Sequence, residues 1–141
     1  MIEIAHSEEK SQRPYSLEDW LNSIPMPNST FWDKSKRKYM SVLECNFVFV
    51  DSAGERHTVP KGFVYDGKSS PKLSWFYSPP YGKDHPAVVA HDWLYQTKAT
   101  SRKVADQTLM DISKACGVRP TKALVEYCMV RVFGLMRWHR E

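Results

Sequence analysis

Four side chains within a short stretch could carry out acid–base chemistry: His91, Asp92, Tyr95 and Asp106. When one nitrogen of an imidazole donates to a carboxylate, the other nitrogen is left to accept a proton, which is how a general base is built. A phenol can donate to the same carboxylate and stiffen it. The residue types therefore predict a catalytic set of His91 as base, Asp106 as its orienting carboxylate and Tyr95 as support.

Two helices must position these side chains. Pro86 suits the first turn of a helix over residues 86–97. Ser101 is a typical N-cap for a second helix over residues 102–116, and Gly117 can supply the left-handed residue that ends it. The short connection predicts that the two helices form an antiparallel hairpin.

The hairpin geometry predicts one specific contact. His91 and Tyr95 are four residues apart, so they lie on the same helix face. His91 and Asp106 are equally far from the middle of the connection, which places them at the same height. Asp92 is rotated by about 100° from His91 around the helix axis. We therefore expect a contact between His91 and Asp106, with Tyr95 beside it.

The loop that precedes the helices could complete a cation site. Asp92 and Asp66 are carboxylates of the kind that Ca²⁺ takes among its oxygen ligands, so both are candidate metal ligands. Gly67, Ser69 and Ser70 belong to the same loop and would face the site. In the alternative interpretation, the polar side chains of this loop only satisfy nearby backbone N–H groups.

A structural interpretation of the His91, Tyr95 and Asp106 set also stays open. A buried set of this kind is often a satisfied polar network that fixes two helices relative to each other. The sequence alone does not choose between this interpretation and a catalytic one.

The chain before the loop predicts a small antiparallel sheet. Residues 38–51 are strand-like, and residues 51–54 form a hairpin turn in which Gly54 can adopt a positive φ. Residues 55–60 form the return strand, and residues 61–65 continue into a short third strand or a bend. Further upstream, Ser16 and Asp19 resemble a capping box that opens a short helix ending by Ile24.

A third helix is predicted over residues 120–137. It carries a long apolar stripe, made up of Leu124, Tyr127, Cys128, Val130, Phe133 and Leu135. Arg131, Arg137 and Arg140 lie toward its basic end, as possible phosphate contacts or as cations that complement the helix dipole. Residues 73–81, rich in aromatics and proline, predict an irregular wall ahead of the helices.

The overall composition limits the classes of protein. The chain of 141 residues fits one domain, which we place at residues 16–141, after a flexible N-terminal arm at residues 1–15. We expect no membrane span and no signal peptide, and hence no export. Cys45, Cys116 and Cys128 predict reduced core thiols. The net charge of +4 permits contact with phosphates but identifies neither nucleic acid nor lipid.

Two stretches together resemble a family found in phages and prophages, the domain of unknown function 1353. They are the segment VPKGFVYDGKSSP over residues 59–71 and the segment HDWLY over residues 91–95, followed by Ser101, Arg102, Ala105 and Asp106. The resemblance spans about residues 59–138. It implies a bacteriophage or prophage origin, with location in the host cytoplasm or the virion, and other virion or assembly proteins as partners.

The helix hairpin alone is similar to the phospholipase A-two superfamily. In that resemblance His91 matches the base, Asp92 the calcium ligand, Tyr95 the supporting phenol and Asp106 the orienting carboxylate. The resemblance implies a Ca²⁺-assisted hydrolase acting on an ester, with phospholipid as a substrate.

We therefore expect a single α+β domain, in which a small antiparallel sheet packs with a three-helix C-terminal half. The first functional hypothesis is a phage-encoded hydrolase. The alternative is a non-catalytic virion or assembly protein that uses the same network as a structural lock, and binding of nucleic acid through the basic helix end is a weaker third.

Overall fold

The computed structural model describes residues 13–65 and 83–140, without the side chain of Arg140. This part of the chain holds two three-stranded sheets and four helices, which confirms the predicted α+β class. One sheet has the order β1–β4–β5 and contains Tyr15–Ser16, Phe47–Val50 and Arg56–Val59. The other has the order β2–β3–β6 and contains Asn28–Asp33, Lys38–Leu43 and Val64–Tyr65.

The predicted hairpin between residues 51 and 54 is confirmed. β4 and β5 pair antiparallel, with Val50 opposite Arg56. Gly54 has a φ of 90°, and its N–H donates to the carbonyl of Asp51. One side-chain oxygen of Asp51 also accepts from the backbone N–H groups of Ala53 and Glu55, so the turn is fixed by its first residue.

The prediction of one continuous strand over residues 38–51 is wrong. β3 ends at Leu43 and β4 begins at Phe47, in the other sheet. Burial alternates through the break, since Leu43, Cys45, Phe47 and Phe49 are all buried. The sequence pattern predicts this alternation of burial. It does not predict where the backbone changes its hydrogen-bonding partner, because that depends on other segments of the chain. The N–H of Glu44, for example, donates to the carbonyl of Pro27.

The strands pair differently from the single predicted sheet. The short third strand exists, but it pairs with β3 and not with the return strand of the hairpin. β2, at Asn28–Asp33, has no counterpart in the predicted sheet. At the N-terminal side, Tyr15 is buried and lies opposite Phe47 in a parallel pair, so the last residue of the expected arm joins a sheet.

The helices begin and end close to their predicted positions. They are α1 (Leu17–Leu21), α2 (His85–Thr97), α3 (Arg102–Ala115) and α4 (Pro120–Arg140). The N-terminal signals act as expected: the N–H of Ser16 donates to the Asp19 side chain, and the Ser101 hydroxyl accepts from the N–H of Val104. Gly117 has a φ of 93°. No helix in the described ranges is long and apolar enough to cross a membrane.

The apolar stripe predicted on α4 does not face the core as a whole. Leu124, Cys128, Phe133 and Leu135 are exposed, and Val130 is the buried member. The helix packs instead through Ala123, Glu126 and Val130 and through its arginines. Cys128 is therefore not a core thiol, while Cys45 and Cys116 are buried, and all three cysteines are free.

One core joins the sheets to the helices. Its fully buried large side chains come from the strands and from α2, and they are Leu43, Phe47, Val59, Tyr65, Val89, Leu94 and Tyr95. The consequence for the site is that α2 is held on one side by the sheets, while its other side meets α3 and α4.

Candidate functional site

The predicted contact between α2 and α3 is present. Nε2 of His91 lies 2.8 Å from Oδ1 of Asp106, and the Tyr95 hydroxyl donates to the same oxygen at 2.7 Å. The hairpin that brings them together turns at Lys98, which ends α2 in the left-handed conformation. The His91 and Tyr95 rings lie 4.3 Å apart between centroids, as expected for neighbours on one helix face.

Asp106 is the centre of this network and is fully buried. Its second oxygen accepts from Arg131 at 3.0 Å and lies 3.5 Å from Arg102. Burial pushes the pKa of Asp106 upward, but the hydrogen bonds and charge of His91, with further bonds from Tyr95 and Arg131, outweigh it and leave the pKa below its usual value. Asp106 is therefore an ionised carboxylate shared by three helices.

Tyr95 is wedged between α2 and α4. Its ring packs edge-on against Trp138, and the guanidinium of Arg137 lies over it, 5.2 Å from the centroid. Burial, and then Asp106, raise the pKa of the phenol, so Tyr95 stays protonated and acts as a hydrogen-bond donor. The ring fits because residue 134 on α4 is a glycine; a Cβ at that position would overlap the Tyr95 hydroxyl.

Asp92, the candidate metal ligand on α2, is nearly fully buried and forms an ion pair with Arg137. The candidate phosphate contacts Arg131 and Arg137 thus both have carboxylate partners inside the protein, while the Arg140 side chain lies outside the described residues. Both arginines tie α4 to the other two helices. Sequence reasoning missed these pairs because a helical pattern does not show which charged residues point inward.

Asp66, Gly67, Ser69 and Ser70, predicted to face the site, lie outside the described residues, as does the aromatic segment at residues 73–81. Of the two carboxylates predicted as cation ligands, only Asp92 lies among the described residues. Its carboxylate forms an ion pair with the Arg137 guanidinium, and the Ca²⁺ site that it would share with the Asp66 loop stays a prediction.

A second histidine–carboxylate pair lies on the hairpin and was not predicted. Nε2 of His57 is 2.6 Å from Oδ2 of Asp51, and the ring stacks on Phe49. Asp51, Glu55 and His57 offer ligand atoms within 4.8 Å of one another. Both oxygens of Asp51 are already used within the hairpin, so the pair anchors the turn. The signal that could have found it is a histidine three positions after the turn, opposite the apolar Phe49 in the hairpin.

His85, at the start of α2, belongs to a third buried polar contact. Its Nε2 lies 2.7 Å from the hydroxyl of Tyr65, which in turn accepts from the side-chain amide of Asn28. Burial lowers the pKa of His85 to about 4, against the opposing effect of Asp84. His85 is thus neutral at pH 7 in the folded protein.

We expect His85 to make the fold sensitive to mild acid. Between pH 6.5 and about 4 the unfolded chain takes up a proton at His85 that the folded chain does not, so stability falls as the pH falls through this window. The slope would reach about 1.4 kcal/mol per pH unit. Urea denaturation across the window should show a shallower dependence for His85→Gln than for the wild type. Equal slopes would contradict the assignment.

A comparison with known proteins shows the family of the chain. The model of the family described as "Protein of unknown function (DUF1353)" matches residues 41–130, a region that runs from β3 to α4 and contains His91, Tyr95 and Asp106. No curated protein matches the chain significantly, and no solved structure does. Because the matched region covers well over half of the chain, the chain belongs to the DUF1353 family.

Proposed function

We propose that this chain is a phage-encoded hydrolase in which His91 is the general base and Asp106 its orienting carboxylate. The observation that carries the proposal is the use of Nε2 for the bond to Asp106. Because Asp106 is ionised, it accepts from an Nε2–H, so in the neutral form of the imidazole the lone pair is on Nδ1. Within residues 13–65 and 83–140, no side chain or backbone group hydrogen bonds with Nδ1.

The chemistry follows from that tautomer. Nδ1 removes a proton from water as the water oxygen attacks an ester carbonyl, and the imidazolium that forms is stabilised by Asp106. The same proton then goes to the leaving alkoxide when the tetrahedral intermediate collapses. Tyr95 is fully buried and keeps the carboxylate in place.

The similarity of HDWLY and Asp106 to phospholipase A-two supports an ester, and a phospholipid in particular, as the substrate. In that resemblance Asp92 would be a calcium ligand, but here it holds Arg137, so no step is assigned to a cation.

The test is hydrolysis of short-chain phospholipids and of a chromogenic ester, with Ca²⁺ and with a chelator. We expect the wild type to hydrolyse at least one of these esters, and we expect His91→Gln to lower that activity by about a hundredfold or more. His139→Gln is the matched control, since His139 is exposed at the end of α4. Thermal melting should show that His91→Gln remains folded. Absence of activity on every ester, or activity that survives His91→Gln, would contradict the proposal.

A second candidate function rests on the burial of the same network. His91 is 5% exposed and Asp106 and Tyr95 are fully buried, as in a polar lock that holds three helices together. In this alternative the chain is a non-catalytic virion or assembly protein that binds other phage proteins. His91→Gln would then lower the free energy of unfolding by about 1–3 kcal/mol, and no esterase activity would be found.

A further inference from the structure

The last helix, α4, directs Glu126, Arg131 and Arg137 inward and leaves several of its apolar side chains exposed. Arg131 and Arg137 reach the buried carboxylates of Asp106 and Asp92. The exposed side chains between Thr121 and His139 include no carboxylate, amine or guanidinium; they are Thr121, Leu124, Cys128, Val132, Phe133, Leu135, Met136 and His139. A helix of a water-soluble surface normally shows the opposite arrangement, so this face is suited to burial.

The face is large enough for a stable interface. Met136 is 76% exposed, Val132 69% and Leu124 52%, and Phe133 and Leu135 are about half exposed. Together these five side chains offer roughly 600 Å² of surface, the upper end of the range for the largest apolar patch on a typical monomer. Two such faces would bury about 1,200 Å², which is the lower end of the range for specific protein–protein interfaces.

The order of residues along the face indicates that its partner is the same face of a second copy of this chain. Positions equally far from Val130 are alike: Leu124 corresponds to Met136, Cys128 to Val132, and polar Thr121 to polar His139. With a constant rise per residue, an antiparallel second copy centred on Val130 brings each of these pairs to the same height. A two-fold interface requires this self-complementarity. We propose that α4 pairs antiparallel with α4 of a second copy of this chain.

Charge favours a protein partner over a lipid surface. An interfacial helix binds anionic lipid through lysines and arginines on its polar face. In α4, Arg131 and Arg137 are engaged by carboxylates within the protein, so they contribute little to such binding. The antiparallel arrangement also places opposite ends of the two helix dipoles together.

The oligomeric state of the full chain tests the proposal. Sedimentation and light scattering from low to high micromolar concentration should show a dimer, and Val132→Glu should weaken it at least tenfold, about 1.4 kcal/mol. Val50→Glu is the matched control, because Val50 is similarly exposed, at 57%, but lies on β4. A wild type that is monomeric throughout, or a dimer that Val132→Glu leaves intact, overturns the proposal. So does a monomer that binds vesicles of anionic lipid through this face.

A disulfide reports the direction of pairing. In the antiparallel dimer the Val132→Cys side chain faces Cys128 of the second copy, so mild oxidation should link the two chains. Adding Cys128→Ser should remove the link. With helix axes about 8–10 Å apart, facing Cα atoms at the same height lie about 4–5 Å from each other, within disulfide range. The two wild-type Cys128 Cα atoms are also offset by about 6 Å along the axis, so they would be about 7–8 Å apart, too far for a disulfide. A parallel pair would instead link wild-type Cys128, and would link Val132→Cys even with Cys128→Ser, which would overturn the arrangement.

Discussion

Replacement of Asp106 by alanine should lower the free energy of unfolding by about 3–5 kcal/mol, the range found when one member of a buried ion pair is removed. Asp106 is fully buried and binds His91, Tyr95 and Arg131. Its loss leaves the phenol without an acceptor and two guanidinium groups, those of Arg131 and Arg102, without their counter-charge. The cost is therefore dominated by the unpaired groups left behind and not by the lost volume.

Chemical denaturation at pH 7 measures this effect, with Asp111→Ala as the control. Asp111 lies on the same helix, but it is exposed, so its replacement should change stability by no more than about 0.5 kcal/mol. If Asp106→Ala cost as little as Asp111→Ala, the carboxylate would not be what holds the three helices together. Both candidate functions require this network, so the measurement tests the site independently of any activity.

Replacement of Gly134 by alanine should destabilise the protein by about 1–3 kcal/mol, as expected of overpacking. In an isolated helix the same change would stabilise by about 1 kcal/mol, because alanine is the better helix former. The sign is reversed here because an added Cβ would overlap the Tyr95 hydroxyl and lie 3.3 Å from Cζ of that ring. The ring is fully buried, so it cannot move aside without breaking its bond to Asp106.

A double-mutant cycle with Tyr95→Phe isolates the cause of this effect. Tyr95→Phe removes the atom that the new Cβ would meet, so Gly134→Ala should cost at least about 1 kcal/mol less in that background than in the wild type. Additive effects of the two changes would show that Gly134 matters for another reason. A stabilised Gly134→Ala single variant would contradict the close packing of α2 on α4.

The contacts of Asp106 and of Gly134 also help to distinguish the two candidate functions experimentally. Asp106 supports His91 whether the imidazole activates water or only fills a polar core. What separates the two is whether His91 can be changed with loss of activity and little loss of stability. The Asp106 and Gly134 variants should therefore lose stability under both hypotheses. The loss in free energy of unfolding measured for His91→Gln can then be compared with theirs.

Local rules determined the α+β class, the four helix starts and the hairpin turn. Capping by Ser16 and Ser101 and the positive φ of Gly54 and Gly117 depend only on neighbouring residues, so the sequence was sufficient. The contact between His91 and Asp106 was also predictable, because a short connection and a fixed helical rise place both residues at one height.

Other features were decided by tertiary structure alone. The division of residues 38–50 between two sheets depends on backbone partners far along the chain, which alternating burial does not report. The inward direction of Arg131 and Arg137 likewise depends on the buried carboxylates of α2 and α3. An apolar stripe on a helix predicts a buried face, but here ion pairing turned the opposite face inward and left the apolar one outside.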